Sequence, residues 1–203
     1  GYNTTTALSI SLGNEKNQTF ASASSTTAEG IIPNNEYQRY NFTVRNTSNF
    51  FNDRMTLDLG FSYVIQKDQN MLSQGQYFNP IVPLYLFPRG EDFTPYRMYE
   101  RYDEGRQLMT QHWPYGEMGM AMQNPYWIIN RNMFNNDRDR YMANAGLKYK
   151  VFDWMDISGR VRIDNANTRH TKKLYASTDA KFAQNKGYYG DRKDVDKQLY
   201  ADF

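Results

Sequence analysis

The stretch MDISGRVRID, residues 155–164, decides the fold class because small or apolar side chains alternate in it with polar ones. Side chains of an extended strand point to opposite faces with a period of two, so this segment is a two-faced strand. In a soluble sandwich the apolar face packs against a second sheet. In a membrane barrel it contacts lipid, and the polar face lines an aqueous lumen. The apolar face carries Met155, Ile157, Gly159, Val161 and Ile163, and the polar face carries Asp156, Ser158, Arg160, Arg162 and Asp164.

The composition also favours two-faced strands. The mean hydropathy of the 203 residues is -0.84, yet 16% of them are aromatic, and disordered chains are usually poor in aromatic residues. Barrel strands need only every second residue to be apolar, with aromatic girdles at the two interfaces. No apolar run approaches the roughly 20 residues of a membrane-spanning helix.

The charged and reactive residues predict no catalysis. The net charge is +2 with both signs mixed along the chain, so no nucleic-acid partner is predicted. There is no cysteine, which excludes a disulfide framework and a thiolate metal site. The two histidines, His112 and His170, lie far apart, and no phosphate-binding glycine loop is present. We predict no enzyme activity, no cofactor and no metal site.

Clear or weaker alternation occurs in six segments that come in pairs. Tight links (NEKN, NDR and DW) alternate strictly with longer ones (AEGIIPNNE, 67–137 and 179–194), as short periplasmic turns alternate with extracellular loops in membrane barrels. The last complete segment runs to about 23 residues, beyond the roughly 9–11 that cross a bilayer. The six segments are 4–13, 18–26, 37–51, 55–66, 141–152 and 155–178, and a further strand begins near residue 196.

We therefore predict an all-β fold, specifically an antiparallel transmembrane β-barrel segment of about six strands. Arg160, Arg162 and Asp164 are predicted to face the lumen, where such charges bind a polar substrate, or pair with one another or with a plug inside the barrel. The main alternative is a soluble β-sandwich that binds glycans through aromatic loops. A small complete barrel with a structural role is a third possibility.

The segment 67–137 is predicted to be a long extracellular loop that forms either a small folded unit or a functional cap. It holds six of the seven prolines and far exceeds the roughly 15 residues of ordinary connections. Its aromatic residues Trp113, Tyr115, Tyr126 and Trp127 are candidates for contact with a substrate or partner, because flat rings stack on sugars and contact proteins. The alternative is that they pack the loop against its neighbours. NNDRDR, residues 135–140, is interpreted as a solvated loop end.

One long stretch resembles a known family. LSISLGNEKNQTFASASSTTAEGIIPNNEYQRYNFTVR, residues 8–45, resembles the first barrel strands of the SusC/RagA family of TonB-dependent outer-membrane transporters from Bacteroidetes. That family has an LSISGG-type strand, a turn similar to (S/N)EKT and a QEGI(I/V)xNxxxxRYN segment. NPYW (124–127) and the DW turn also fit, whereas SLGNEKNQ departs from the more usual Gly-Gly and Thr. The counterparts here are Asn14–Lys16, Glu29–Ile32, Asn34 and Arg39–Asn41.

The resemblance implies a 22-stranded barrel in the cell outer membrane, filled by an N-terminal plug. It implies import of oligosaccharides or peptides, driven by TonB through that plug, with a SusD-like surface lipoprotein as partner. Six strands cannot close such a barrel. Residues 1–203 are therefore expected to be a partial barrel domain from the early part of a longer protein, with the plug outside this chain.

Overall fold

The computed structural model describes residues 1–73, 75–116 and 123–203. Seven of its nine strands form one antiparallel sheet in the order β1-β2-β3-β4-β7-β8-β9, and β5 and β6 pair as a separate hairpin. The prediction of an all-β, antiparallel fold is confirmed. The strands are β1 Tyr2–Gly13, β2 Asn17–Glu29, β3 Glu36–Phe50, β4 Met55–Gln69, β5 Glu100–Asp103, β6 Leu108–Gln111, β7 Asn132–Phe152, β8 Met155–Leu174 and β9 Tyr188–Asp202.

The large sheet has one end with tight turns and one end with longer links. The pairs Gly13–Gln18, Phe50–Met55 and Phe152–Met155 close the tight turns after β1, β3 and β7. In the turn after β3, Phe51, Asn52 and Asp53 all have positive φ, so this four-residue turn uses the left-handed region at consecutive positions. The links 30–35 and 175–187 and the described residues of 70–131 lie at the opposite end.

Three strand bounds differ by more than three residues from the sequence expectations. β7 begins at Asn132 and contains NNDRDR, so the interpretation of 135–140 as a solvated loop end is wrong. β9 begins at Tyr188, before the expected position near 196, and β8 ends at Leu174. The physical reason is that β7 pairs along this stretch with both β4 and β8. Those neighbours satisfy its backbone N–H and C=O groups whatever the side chains are.

The link between β4 and β7 is folded over much of its length. Its described residues form two short helices, α1 Ile81–Leu86 and α2 Pro125–Arg131, a 3-10 turn at Thr94–Arg97 and the β5–β6 hairpin. Positions 74 and 117–122 of the predicted 67–137 loop lie outside the described residues. We call the described residues of 70–131, together with the link 175–187, the loop unit.

The helix α2 begins where its sequence favours a helix start. The Asn124 side-chain oxygen accepts a hydrogen bond of 2.8 Å from the Tyr126 backbone N–H, and Pro125 occupies the first helical position. None of the described helices is long and apolar enough to cross a membrane.

The buried core lies at the loop-unit end of the sheet. The buried side chains therefore lie beside the long links, and no described residues form a layer that covers the apolar face of the sheet. The buried apolar side chains there are Trp113, Trp127, Ile128, Ala166, Leu174 and Ala183.

Candidate functional site

One face of the large sheet is apolar and exposed across its strands. Cross-strand pairing places Val44 beside Phe61, Phe61 beside Ala143, Ala143 beside Ile163 and Ile163 beside Leu199. Phe61 and Ile163 are each 44% exposed and Leu199 is 74% exposed. Soluble monomers rarely expose contiguous apolar patches above a few hundred Å², so a surface of this kind normally contacts another apolar phase.

This apolar face has the height of a bilayer core. On β4 its alternating side chains run from Met55 to Ile65. The outward positions become polar from that level on, with Asp139 opposite Ile65 and Lys67 next on the same face of β4. Eleven residues match the roughly 9–11 that a tilted strand needs to cross a membrane. At the tight turn after β7 the rings of Phe152 and Trp154 stack with centroids 5.5 Å apart, and Trp154 is 81% exposed. Exposed aromatic rings at one border of an apolar band are typical of an interfacial girdle.

The opposite face is polar and lines an open cavity of about 820 Å³. The three residues predicted to face a lumen, Arg160, Arg162 and Asp164, all line this cavity. They occupy even-numbered positions of β8, and the strand period places them opposite the apolar face. The other lining residues are Arg45, Asp58, Ser62, Arg140, Met142, Asn144, Gln198 and Tyr200.

The charged side chains of this cavity pair across neighbouring strands. Asp164 is buried and accepts a hydrogen bond of 2.8 Å from the Arg140 Nε–H. Arg162 makes longer contacts, 3.6 Å to an Asp164 oxygen and 3.7 Å to the Met142 sulfur, so its guanidinium is the less firmly held. Of the three residues predicted to face a lumen, Arg162 and Asp164 contact each other, whereas Arg160 pairs with Asp202. Two further pairs are Arg45–Asp58 at 2.6 Å and Arg160–Asp202 at 2.7 Å.

Two of the four aromatic residues proposed as contacts are core residues of the loop unit. Trp113 is 5% exposed and packs against Phe87 and Tyr96, with ring centroids 5.6 Å and 5.4 Å away. Trp127 is 0% exposed, and its indole N–H donates a hydrogen bond of 3.0 Å to the Thr178 hydroxyl. A ring without exposed surface cannot stack on a ligand, so for Trp127 the packing alternative describes the structure.

The other two residues are less buried than the two tryptophans. Tyr115 packs edge-on against Trp113 at 5.7 Å, and Tyr126 lies 6.1 Å from Phe93. Both are half-buried. The four residues thus belong to one end of the molecule, and the proposed contact with substrate or partner is left to Tyr115 and Tyr126.

Buried amide side chains join the two parts of the loop unit. The Gln111 backbone N–H donates to the Ser177 hydroxyl oxygen at 2.9 Å, and its side-chain amide donates to the Ser177 carbonyl at 2.7 Å. Gln123 accepts from the Asp179 backbone N–H at 3.2 Å, and Asn124 donates to Gln111 through its own backbone N–H. Sequence reasoning missed these residues because an amide side chain carries no periodic signal of burial.

An arginine clamps α2 to the β5–β6 hairpin. The Arg131 guanidinium donates two hydrogen bonds of 2.8 Å to the carboxylate of Glu100, and it lies 5.0 Å from the Tyr175 ring centroid. The hydrogen-bonded carboxylate of Glu100 raises the pKa of Arg131. A bidentate pair with a stacked ring fixes orientation as well as distance.

A lysine lies among four aromatic rings where β8 meets the loop unit. The Lys172 ammonium is 5.0 Å from the Phe78 centroid and 5.5–5.6 Å from those of Phe134, Phe182 and Tyr188. Burial lowers the pKa of Lys172. Cation–π attraction favours the charged form and so opposes the effect of burial.

Searches against models of protein families and against curated proteins found no match to this chain. The functional interpretation therefore depends on the residues and geometry described above.

Proposed function

We propose that this chain is part of a transmembrane β-barrel of the cell outer membrane, with its apolar face toward lipid and its polar face toward an aqueous lumen. The exposed apolar face is the observation that carries the proposal. Burying a large aliphatic or aromatic side chain is worth about 1.5–3 kcal/mol relative to exposure. A face that exposes such residues on successive strands therefore strongly favours an apolar surrounding.

The two ends of the sheet support an orientation for this barrel. Bacterial outer-membrane barrels have short periplasmic turns and longer extracellular loops. The tight turns after β1, β3 and β7 would then face the periplasm, and the loop unit would lie at the cell surface. β1 and β9 are the edge strands of the described sheet. Membrane strands have their edges paired, so we propose that further strands continue the sheet beyond both.

Within such a barrel we propose the role of a SusC-like channel in TonB-dependent import of oligosaccharides or peptides. The resemblance of residues 8–45 supports this role, as does a polar cavity lined by paired charges. A SusD-like surface lipoprotein would contact the loop unit, where Tyr115 and Tyr126 are only half-buried. TonB would act through a plug formed by another part of the protein.

Membrane behaviour tests the first part of this proposal. Source cells are fractionated, and the outer-membrane fraction is immunoblotted for the polypeptide that carries MDISGRVRID. We expect a heat-modifiable band several times heavier than 23.9 kDa. A water-soluble band near 24 kDa would instead support the soluble glycan-binding sandwich.

Purification and uptake test the transport role. We expect a surface lipoprotein to co-purify with the protein in mild detergent. We also expect TonB-dependent uptake of an oligosaccharide or a peptide to disappear when the gene is deleted. Intact uptake of both ligand classes in the deletion strain would contradict the role.

A further inference from the structure

Arginines hold carboxylates of the polar face in bidentate pairs. In each pair one guanidinium donates two hydrogen bonds to one carboxylate, with donor–acceptor distances between 2.5 Å and 3.3 Å. Four arginines line the polar cavity and three carboxylates pair with them, so one positive charge is left over. The three pairs are Arg45–Asp58, Arg140–Asp164 and Arg160–Asp202.

Arg162 is the lining arginine without a carboxylate of its own. It lies 3.6 Å from the Asp164 oxygen that Arg140 already holds, beyond the usual 2.7–3.2 Å of an N–H···O hydrogen bond. It also contacts the Met142 sulfur at 3.7 Å, which is a weak acceptor. The Arg162 side chain is 53% exposed, so its N–H donors are accessible to a ligand in the cavity.

Polar and aromatic side chains surround Arg162 on the cavity wall. Asn144 of β7 and Tyr200 of β9 lie in register with it, one on each side. Gln198 lies two residues before Tyr200 and therefore on the same face. All three residues line the cavity, and Tyr200 is 53% exposed. Amide groups hydrogen-bond sugar hydroxyl groups, and an aromatic ring packs against the apolar face of a sugar.

This wall selects a ligand that combines a carboxylate with a hydroxyl-bearing ring. A guanidinium matches a planar carboxylate through two parallel N–H donors, the geometry that the three pairs of this face already use. A neutral sugar would give Arg162 no anionic partner, and an aliphatic peptide residue would also leave the two amides unmatched. The cavity volume of about 820 Å³ falls within the roughly 300–1,000 Å³ of small-molecule sites.

We propose that Arg162 binds the carboxylate of an acidic sugar, a uronic acid unit of an oligosaccharide, while Asn144, Gln198 and Tyr200 contact its hydroxyl groups and ring. This inference rests on the proposed function, because a lumen is what brings an imported oligosaccharide to this face, and it names the class of substrate. A carboxylate from another part of the protein would offer Arg162 the same group. Binding of a free uronic acid distinguishes the two sources.

The test is a titration of the purified full-length protein in mild detergent with methyl glucuronide, followed by saturation-transfer NMR. We expect saturable binding with a dissociation constant on the order of 1 mM, and binding of its uncharged methyl ester about tenfold weaker or less. Arg162→Gln removes the positive charge and is expected to weaken binding of the acid about tenfold or more. Arg192→Gln makes the same change on β9 outside the cavity lining and is expected to leave binding unchanged.

A second variant separates charge from geometry at the same position. Arg162→Lys keeps the charge but loses the planar fork, so its affinity for the acid is expected to lie between those of the parent and Arg162→Gln. The heat-modifiable band shows whether each variant is folded.

The proposal is overturned if methyl glucuronide does not saturate, if its ester binds equally well, or if folded Arg162→Gln protein binds the acid as the parent does. The last result would mean that another part of the protein already holds Arg162. These failures leave the heat-modifiable outer-membrane band unchanged and remove only this inference. A water-soluble band near 24 kDa would instead remove the membrane role.

Discussion

Two adjacent small residues of β2 provide a matched test of which face of the sheet contacts lipid. Ala21 lies on the apolar face, between Ile10 of β1 and Val44 of β3. Ser22 lies on the polar face, between Ser9 and Thr43. Ala21→Arg and Ser22→Arg place the same cation at the same height on opposite faces.

The expected difference follows from the position of these residues in the membrane. Ala21 is four residues above the start of β2, about 14 Å along the strand at roughly 3.4 Å per residue. A strand tilt of about 40° makes this roughly 10 Å of height, near the middle of an apolar band about 25 Å tall. An arginine facing lipid at that depth costs about 2–4 kcal/mol, or roughly 30-fold to 900-fold in the folding equilibrium. Ser22→Arg faces the lumen and is expected to cost less than about 0.5 kcal/mol.

The assay is urea unfolding of the full-length protein refolded into lipid vesicles, with the heat-modifiable band measuring the folded fraction. Equal destabilisation by the two variants, or a larger effect of Ser22→Arg, would refute the assignment of faces. Ala21→Leu distinguishes a lipid surrounding from a packed second sheet. The arginine variants cannot do this, because both surroundings disfavour an arginine. Against lipid the larger side chain is expected to change stability by less than about 0.5 kcal/mol, whereas overpacking of a sandwich core costs about 1–3 kcal/mol.

Three further predictions concern the end of the molecule with the long links. Trp127→Ala removes the fully buried ring of α2 and is expected to destabilise the loop unit by about 3–5 kcal/mol, seen as faster hydrogen exchange in residues 123–131; unchanged exchange would contradict its role in the core. Arg131→Lys loses the bidentate bond to Glu100 and the guanidinium that stacks on Tyr175. The β5–β6 hairpin should then lose about 1–3 kcal/mol of protection against hydrogen exchange. Full protection with lysine would show that the positive charge alone suffices. Asp191 pairs with Arg169 at 2.7 Å, which lowers the pKa of Asp191. The stabilising effect of this pair is complete above the unfolded pKa of about 3.9, and it is lost as the pH falls through the lower pKa of the folded state. Asp191→Asn should therefore reduce the acid-dependent change in hydrogen exchange near β9. An identical acid profile in the variant would exclude the Arg169–Asp191 pair as the source of that change.

Several parts of the fold follow from local sequence pattern. Strict alternation in MTLDLGFSYVIQ and MDISGRVRID predicts strands and assigns Arg160, Arg162 and Asp164 to one face, as the structure has them. The short links between paired segments predict antiparallel hairpins. These features depend on the period of two and on turn length, both of which are encoded in neighbouring residues.

Other parts depend on residues that are distant in the chain. Asn132–Arg140 and the first half of β9 are strongly polar, and they are strands because ordered neighbours hydrogen-bond their backbones. Trp127 and Tyr126 are adjacent in one motif, yet Trp127 is buried while Tyr126 keeps exposed surface, because helix α2 turns the Trp127 indole toward Thr178 of the link 175–187. The polar cavity likewise brings together residues as distant in the chain as Arg45 and Tyr200.

The sequence by itself determined the two-faced strands and their pairing, because alternation and turn length act over a few residues. Only the tertiary structure decided which polar segments continue those strands, which aromatic rings are buried and which arginines of the cavity are paired. The physical reason is that burial and hydrogen-bond satisfaction depend on what lies across the fold from a residue, and no local pattern records that neighbour.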